Sequence, residues 1–274
     1  MTTETTSEYL MDSADPDERA RLRAIEDAYD PGTLRHLAAL GVREGSRVLV
    51  AGVGAGSFLP WLSEAVGATG SVLATDIDTR HAAPVADQYE NVEVRHHDFL
   101  SEDFPGGQFD VVHGRLILIH FPQRDEIIAR LAAALKPGGT LLVEDYDWGS
   151  CGPAFPSADA TAAEELSAKL APYYREHGFD PYVGRKLPGL LRRAGLVDVD
   201  AEGRVLTLRG ASSTLAPIYT KSHEQLVARP DARGLISEEE TAAFLRRMAD
   251  LEFDMTGQTM MAAWGRRAGA EAGA

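Results

Sequence analysis

The sequence predicts a doubly wound α/β fold: a mostly parallel, seven-stranded sheet with helices on both faces, an amino-terminal helical cap and helical insertions. Three observations predict it. Short apolar strand patterns alternate with helical patterns through the middle of the chain. The first of them, Arg47 to Ala51, runs straight into a G-x-G-x-G turn at Gly52, Gly54 and Gly56, and the second, Ser71 to Thr75, ends on the acid Asp76. In such a sheet right-handed crossovers put helices on both faces. A ligand crevice then opens beyond the carboxyl ends of the strands where strand order reverses, here beside the first and fourth strands.

Residues 1–41 read as a helical cap, or lid, ahead of a domain of residues 42–274. Pro16 to Tyr29 is a charged helical pattern, and Pro31 precedes a second one bearing Leu34, Leu37 and Leu40. Tyr9 and Tyr29 are its aromatics with a hydroxyl, able to touch a ligand from a lid. After the first strand, Phe58, Leu59, Leu62, Ala65 and Val66 form the apolar stripe of a helix with Pro60 near its start. Val92 to His96 alternates as a third strand and is followed by Asp98 and Phe99, Phe109 to His113 is the fourth, Gln123 to Leu135 an amphipathic helix, and Thr140 to Glu144 the fifth strand. An insertion at about 146–185 carries a helix from about Ala158 to Glu176 and the aromatics Tyr173, Tyr174, Phe179 and Tyr182. A sixth strand, Val197 to Leu208, is separated from a last one near Gln258 to Trp264 by a second insertion, roughly 210–253. It contains a helix from Ser237 to Met248 opened by a Ser-Glu-Glu-Glu cap.

Glycine lacks a Cβ, so the turn at Gly52 to Gly56 can take positive φ and let a ligand lie against bare backbone while the next helix offers its unpaired N–H groups. A dinucleotide fingerprint is excluded by spacing, because Ser57 stands where its last glycine would be. A nicotinamide-dependent oxidoreductase is therefore the weaker alternative. An acid at the end of the second strand can accept hydrogen bonds from both hydroxyls of a ribose, and of Asp76 and Asp78 the first is chosen.

With VLVAGVGAGS, VLATDID, HHDFL, FDVVHGRLILIHFP and LKPGGTLLVEDYD in this order, the chain resembles the class I S-adenosylmethionine-dependent methyltransferases over about residues 45 to 148. The resemblance implies a Rossmann-like methyltransferase fold and S-adenosyl-L-methionine as cofactor, with S-adenosyl-L-homocysteine as product. It puts Gly52, Val53, Gly54 and Gly56 under the methionine half, Asp76 with Ile77 at the ribose, and Asp98 with Phe99 at the adenine. One departure matters: where the family carries an acid two places before the first glycine, this chain has Val50. Arg115 and the backbone of His113, at the end of the fourth strand, are the residues placed to serve the amino-acid half instead. The implied activity is in-line transfer of a methyl group to an oxygen, nitrogen or carbon of a small molecule, an aromatic or specialised metabolite. His120 is the candidate base, Glu144 a second catalytic candidate, and Tyr9, Tyr146, Tyr173 and Tyr174 are candidate substrate contacts. A fold that binds the cofactor without methylating, or with a regulatory role, is the other alternative.

The 42 acidic against 27 basic residues, a net charge of −15, argue against nucleic-acid phosphates or anionic membranes as partners and favour a small-molecule substrate. Cys151 is the sole cysteine, so no intrachain disulfide can form, and the chain fits a reducing cytoplasm. His96 and His97 are neighbours on a strand and point to opposite faces, and no zinc spacing occurs, so no metal is expected. Neither a membrane span nor the basic start of a signal peptide is apparent. A homodimer is compatible with this reading.

Overall fold

The computed structural model describes residues 17–153 and 158–269, so Tyr9 lies outside the described residues. Strand β1 (Arg47–Ala51) is central because it can be: Val48, Leu49, Val50 and Ala51 are all fully buried, as a parallel strand covered on both faces requires. It pairs in parallel with β2 (Ser71–Asp76) on one side and β4 (Phe109–Arg115) on the other. The parallel set is completed by β3 (Val92–His96) beside β2 and β5 (Leu135–Asp147) beside β4. Strand β8 (Asp254–Arg266) enters antiparallel between β5 and β7 (Val197–Arg209). The two-residue β6 (Gly152–Pro153) also pairs with the start of β8. The resulting order, β3-β2-β1-β4-β5-β8 with β7 at the far edge, reverses between β1 and β4.

The period of two along each strand separates two cores. Leu49, Ala51, Leu73, Val112, Leu141 and Val143 face one side, while Val48, Val50, Val72, Ala74, Val111 and Leu142 face the other. Helix α1 (Glu18–Ala39) precedes the sheet, and α2 (Leu59–Val66), the short α3 (Ala83–Ala86) and α4 (Arg124–Ala134) connect the parallel strands. Helices α5 (Ala158–Glu176) and α6 (Leu187–Arg193) lie between β5 and β7, with α7 (Ala216–Ala228) and α8 (Glu238–Ala249) between β7 and β8. The expected cap of α8 is present as a complete capping box, in which Ser237 and Glu240 each bond the other's backbone N–H.

Two expectations change. The two amino-terminal helices are one, α1, which runs through Pro31. Proline deprives the preceding turn of a hydrogen bond, yet Ala28 and Tyr29 before it and Thr33 and Leu37 after it are all buried, and that shared packing outweighs the break. Strand β5 is also longer at both ends than Thr140 to Glu144. Its early part absorbs the Lys136 to Gly139 turn pattern as an irregularity opposite β4, with Gly138 at φ +82°.

Candidate active site

The site forms where β1 and β2 end. Gly52 and Val53 donate their N–H groups to the carbonyl of Thr75 at 2.8 and 3.0 Å, which folds the turn against β2. Gly52 sits at φ +69°, and a Cβ there would come within 2.9 Å of Ile117 Cγ1. Gly54, at φ +61°, is also left-handed, and its N–H is taken by Asp76 Oδ2 at 2.9 Å, while Asp78 N donates to Oδ1 at 3.1 Å. Burial raises the Asp76 carboxyl above its ordinary range against the pull of these two N–H groups.

Beyond these ends lies a cavity of about 840 Å³, within the roughly 300–1,000 Å³ typical of small-molecule sites. One end is walled by Gly52, Val53, Gly54, Asp76, Ile77, Asp98 and Phe99. Asp98 is fixed by the N–H of Leu100 at 2.9 Å and the hydroxyl of Ser101 at 2.7 Å, which hold its carboxyl low. Ile77 is half exposed beside Asp76, an apolar surface at the cavity rim. Helix α1 closes one flank through Glu18, Arg21, Leu22, Ile25 and Glu26. Its polar face bonds to the glycine turn and strand ends: Glu26 Oε1 accepts from Ser57 N at 3.2 Å, and Asp30 takes the Ser57 hydroxyl and pairs with Arg115 at 2.8 Å. Arg115 also donates to Thr33 at 2.9 Å and lies 5.6 Å from the centre of the Phe58 ring.

The other end is built by the two insertions and is apolar. Leu166, Leu170, Ile218, Leu226, Phe244 and Met255 line it. Its polar points include Tyr146, Tyr219 and Gln258, of which Tyr219 donates to Gln258. Burial pushes the Tyr146 phenol up to about 12, with Tyr29 and Gln258 as its polar neighbours. Glu18, a carboxylate lining this side, accepts from Arg21 at 2.7 and 2.8 Å and from Gln225 at 2.8 Å.

His120 and Tyr174 also line the cavity, as does Arg115, whereas Gly56, His113, Glu144 and Tyr173 do not. Gly56, at φ +82°, packs under α2, where a Cβ would meet Leu59 at 3.0 Å. Because β5 continues to Asp147, Glu144 is an interior strand residue and not its end. It is buried against His113 Nε2 at 3.0 Å and His36 Nδ1 at 3.3 Å, with a hydrogen bond from Thr33. Burial alone would raise the Glu144 carboxyl; the two histidines outweigh it and hold it below the carboxylate range. Tyr173 faces a separate polar group, donating to Asp231 at 3.1 Å and accepting from Arg229 at 2.9 Å. Tyr29, expected to reach a ligand, is 2% exposed and packs edge-on to Tyr146 at 5.6 Å.

The family model of a methyltransferase domain matches residues 21–201. The chain belongs to that methyltransferase domain family. Nocamycin O-methyltransferase of Saccharothrix syringae is 30% identical to this methyltransferase domain protein over 245 residues, 80% of this chain and 86% of that one. Methyltransferase str2 of Strobilurus tenacellus is 30% identical over 182 residues, 64% of this chain but 62% of its own length. Among solved structures, phosphoethanolamine N-methyltransferase 2 of Haemonchus contortus, in complex with phosphomonomethylethanolamine and S-adenosylhomocysteine, shares the fold with a TM-score of 0.55. It is 16% identical and covers 92% of this chain and 58% of that one. The [4+2]-cyclase SpnF shares it with a TM-score of 0.54 at 18% identity, covering 89% of this chain and 83% of that one.

S-adenosylmethionine fits the residues of this methyltransferase domain. Gly54 offers backbone that a side chain would cover: a Cβ there would find no atom nearer than Leu22 Cδ2 at 3.8 Å. Asp76 keeps acceptor capacity beyond its two N–H bonds, and Asp98, Ile77 and Phe99 continue the same wall.

Several lining residues escaped the sequence. His97 stacks on Phe104 at 4.1 Å and reaches the cavity, and Leu116, at φ +56°, turns the chain after β4. No local pattern marks Phe244 or Gln258, which come from the second insertion and β8. Glu26 had a signal, an acid among the buried positions Ile25 and Tyr29 of one helix face.

Proposed function

We propose that the protein is an S-adenosylmethionine-dependent methyltransferase that moves the methyl group onto an oxygen, nitrogen or carbon of a small, largely apolar specialised metabolite. One observation carries the reading: a single cavity joins the glycine turn and its acids to an apolar wall made by both insertions. Bound at the first end, the cofactor would supply a methyl group on a sulfonium, open to displacement in line by a nucleophile.

The chain's contribution is placement. The glycine turn and Asp76 fix one reactant, and the apolar wall fixes the other and excludes water. A small ammonium acceptor finds no open carboxylate on the acceptor side among the described residues, since Glu18 already serves Arg21 and Gln225. Burial, with Arg21 and Arg124 nearby, pushes the His120 imidazole down to about 3, so it is neutral near pH 7. So weak a base stores no proton; its role is to orient an acceptor's O–H or N–H. The acceptor must then ionise readily or be nucleophilic already.

The amino-terminal helix acts as a lid over the cofactor in this proposal. The protein works in the cytoplasm on small molecules, neither on nucleic acid nor at a membrane. The acidic balance and the single thiol support this, and among the described residues no helix is long and apolar enough to cross a membrane.

Calorimetry with S-adenosylhomocysteine and with NAD tests the cofactor, and mass spectrometry with methyl-deuterated S-adenosylmethionine tests transfer to metabolite fractions. The proposal expects binding of the first ligand alone and a three-deuterium mass increment in an apolar fraction. Binding of NAD with indifference to S-adenosylhomocysteine would overturn it.

A further inference from the structure

We propose that Glu26, reaching in from α1, is the carboxylate that β1 lacks, and that it holds the ammonium of the cofactor's amino-acid half. The inference rests on the cofactor reading above. Val50, at the position where the family's acid would stand, is fully buried in the apolar cluster of the opposite sheet face and can hold nothing polar. Glu26 is 5% exposed, lines the cavity, and takes the N–H of Ser57 at 3.2 Å, directly after the glycine turn. Leu22, four residues earlier on the same helix face, is the nearest side chain to the open space over Gly54. The acids of this stretch of α1 have different duties: Asp27 pairs with Arg23 and Asp30 with Arg115, whereas Glu26 has no ion pair among the described residues.

An unpaired carboxylate out of water is costly, and burial together with the nearby Asp30 raises its pKa. A cation in the cavity relieves that cost. The amino-acid half of the cofactor brings one to the glycine turn, where Glu26 already stands.

The test separates the two halves of the ligand by calorimetry on the full chain. S-adenosylhomocysteine carries the amino-acid half; 5′-methylthioadenosine has the same adenine, sugar and sulfur without it. Glu26→Gln keeps the length of the side chain and an oxygen to accept from Ser57, and removes only the charge. The expected result is a Kd for S-adenosylhomocysteine raised about tenfold or more, a charged hydrogen bond's worth, with the Kd for 5′-methylthioadenosine within about twofold of the parent. Equal weakening of both ligands would show a structural role, and no weakening of either would show no contact; both outcomes overturn the assignment. A parent protein that binds neither ligand would instead overturn the cofactor reading itself.

Discussion

Replacing Asp76 with alanine should strip the sugar from the cofactor's grip and little else. A carboxylate offers about four lone-pair directions. Two are taken here by the N–H groups of Gly54 and Asp78, at 2.9 and 3.1 Å, which leaves two for the vicinal hydroxyls of a ribose. Hydrogen bonds to a charged acceptor contribute about 1.5–3 kcal/mol, so the Kd should rise roughly 10- to 150-fold. The two N–H groups released by the change border the cavity, where water can replace the carboxylate, and the fold should lose no more than about 1 kcal/mol. Calorimetry with 5′-methylthioadenosine is the decisive assay, because that ligand keeps the ribose: it should weaken in Asp76→Ala and hold in Glu26→Gln. Free adenine, with no sugar, should bind both variants like the parent. An unchanged Kd for 5′-methylthioadenosine in Asp76→Ala would refute the assignment and move the sugar contact elsewhere along the rim.

Burial raises the Asp145 carboxyl to about 7 from 3.8, against the N–H groups of Tyr146 and Ile119, so its stabilising contribution is present below pH 3.8 and is lost as pH rises through about 7. In urea melts Asp145→Asn, which cannot titrate, should therefore gain about 3 kcal/mol on the parent between pH 5 and pH 8, and a difference that does not change with pH would sink the argument. Phe244→Arg should cut binding of the neutral probe N-phenyl-1-naphthylamine to S-adenosylhomocysteine-saturated protein by about tenfold or more while leaving the nucleoside Kd within about twofold; unaltered probe binding would remove the apolar acceptor wall. The ratio of the Kd for S-adenosylhomocysteine to that for S-adenosylmethionine should fall as salt rises from about 20 to about 500 mM, and a constant ratio would show that the cavity's acids exert no field on the ligand.

The end of the cavity proposed for the cofactor was legible in the sequence because its parts are local. Strands β1 and β3 begin and end where alternation and glycine placed them, Asp76 ends β2, and Gly52, Gly54, Asp98 and Phe99 each follow a strand by a few residues, so strand ends alone bring them together. The acceptor half was not. Phe244 and Gln258 reach the same cavity from more than a hundred residues beyond β4, across two insertions whose packing no period of 2 or 3.6 encodes. Glu144 misled for a related reason: the strand read as Thr140 to Glu144 put the acid at its end, whereas β5 continues three residues past it, to Asp147. Helix α1 was read as two because Pro31 is a strong local signal. The competing signal, a buried face running Tyr29, Thr33, His36 and Leu37, is half polar and becomes visible only with its partners Arg115 and Glu144.

Ion pairing among the acids near the cavity bears on how this chain would discriminate S-adenosylmethionine from S-adenosylhomocysteine. Two carboxylates of the cavity and one behind the glycine turn give their charge to arginines of the chain: Glu18 to Arg21 at 2.7 Å, Asp78 to Arg80 at 2.6 Å, and Asp30 to Arg115 at 2.8 Å. Glu26, Asp76 and Asp98 do not; their hydrogen bonds come from backbone N–H groups and a serine hydroxyl, which orient a negative charge without cancelling it. All three line the cofactor end, while the acceptor end is apolar. A pair of unit charges about 4 Å apart gains about 1 kcal/mol in water and about 4 at the effective dielectric near a protein surface. S-adenosylmethionine carries one positive charge more than S-adenosylhomocysteine, so a field from these three acids acts on the difference between them. Donation of the methyl group would remove one of the positive charges these acids face, so on the proposed reading S-adenosylmethionine is expected to bind more tightly than S-adenosylhomocysteine.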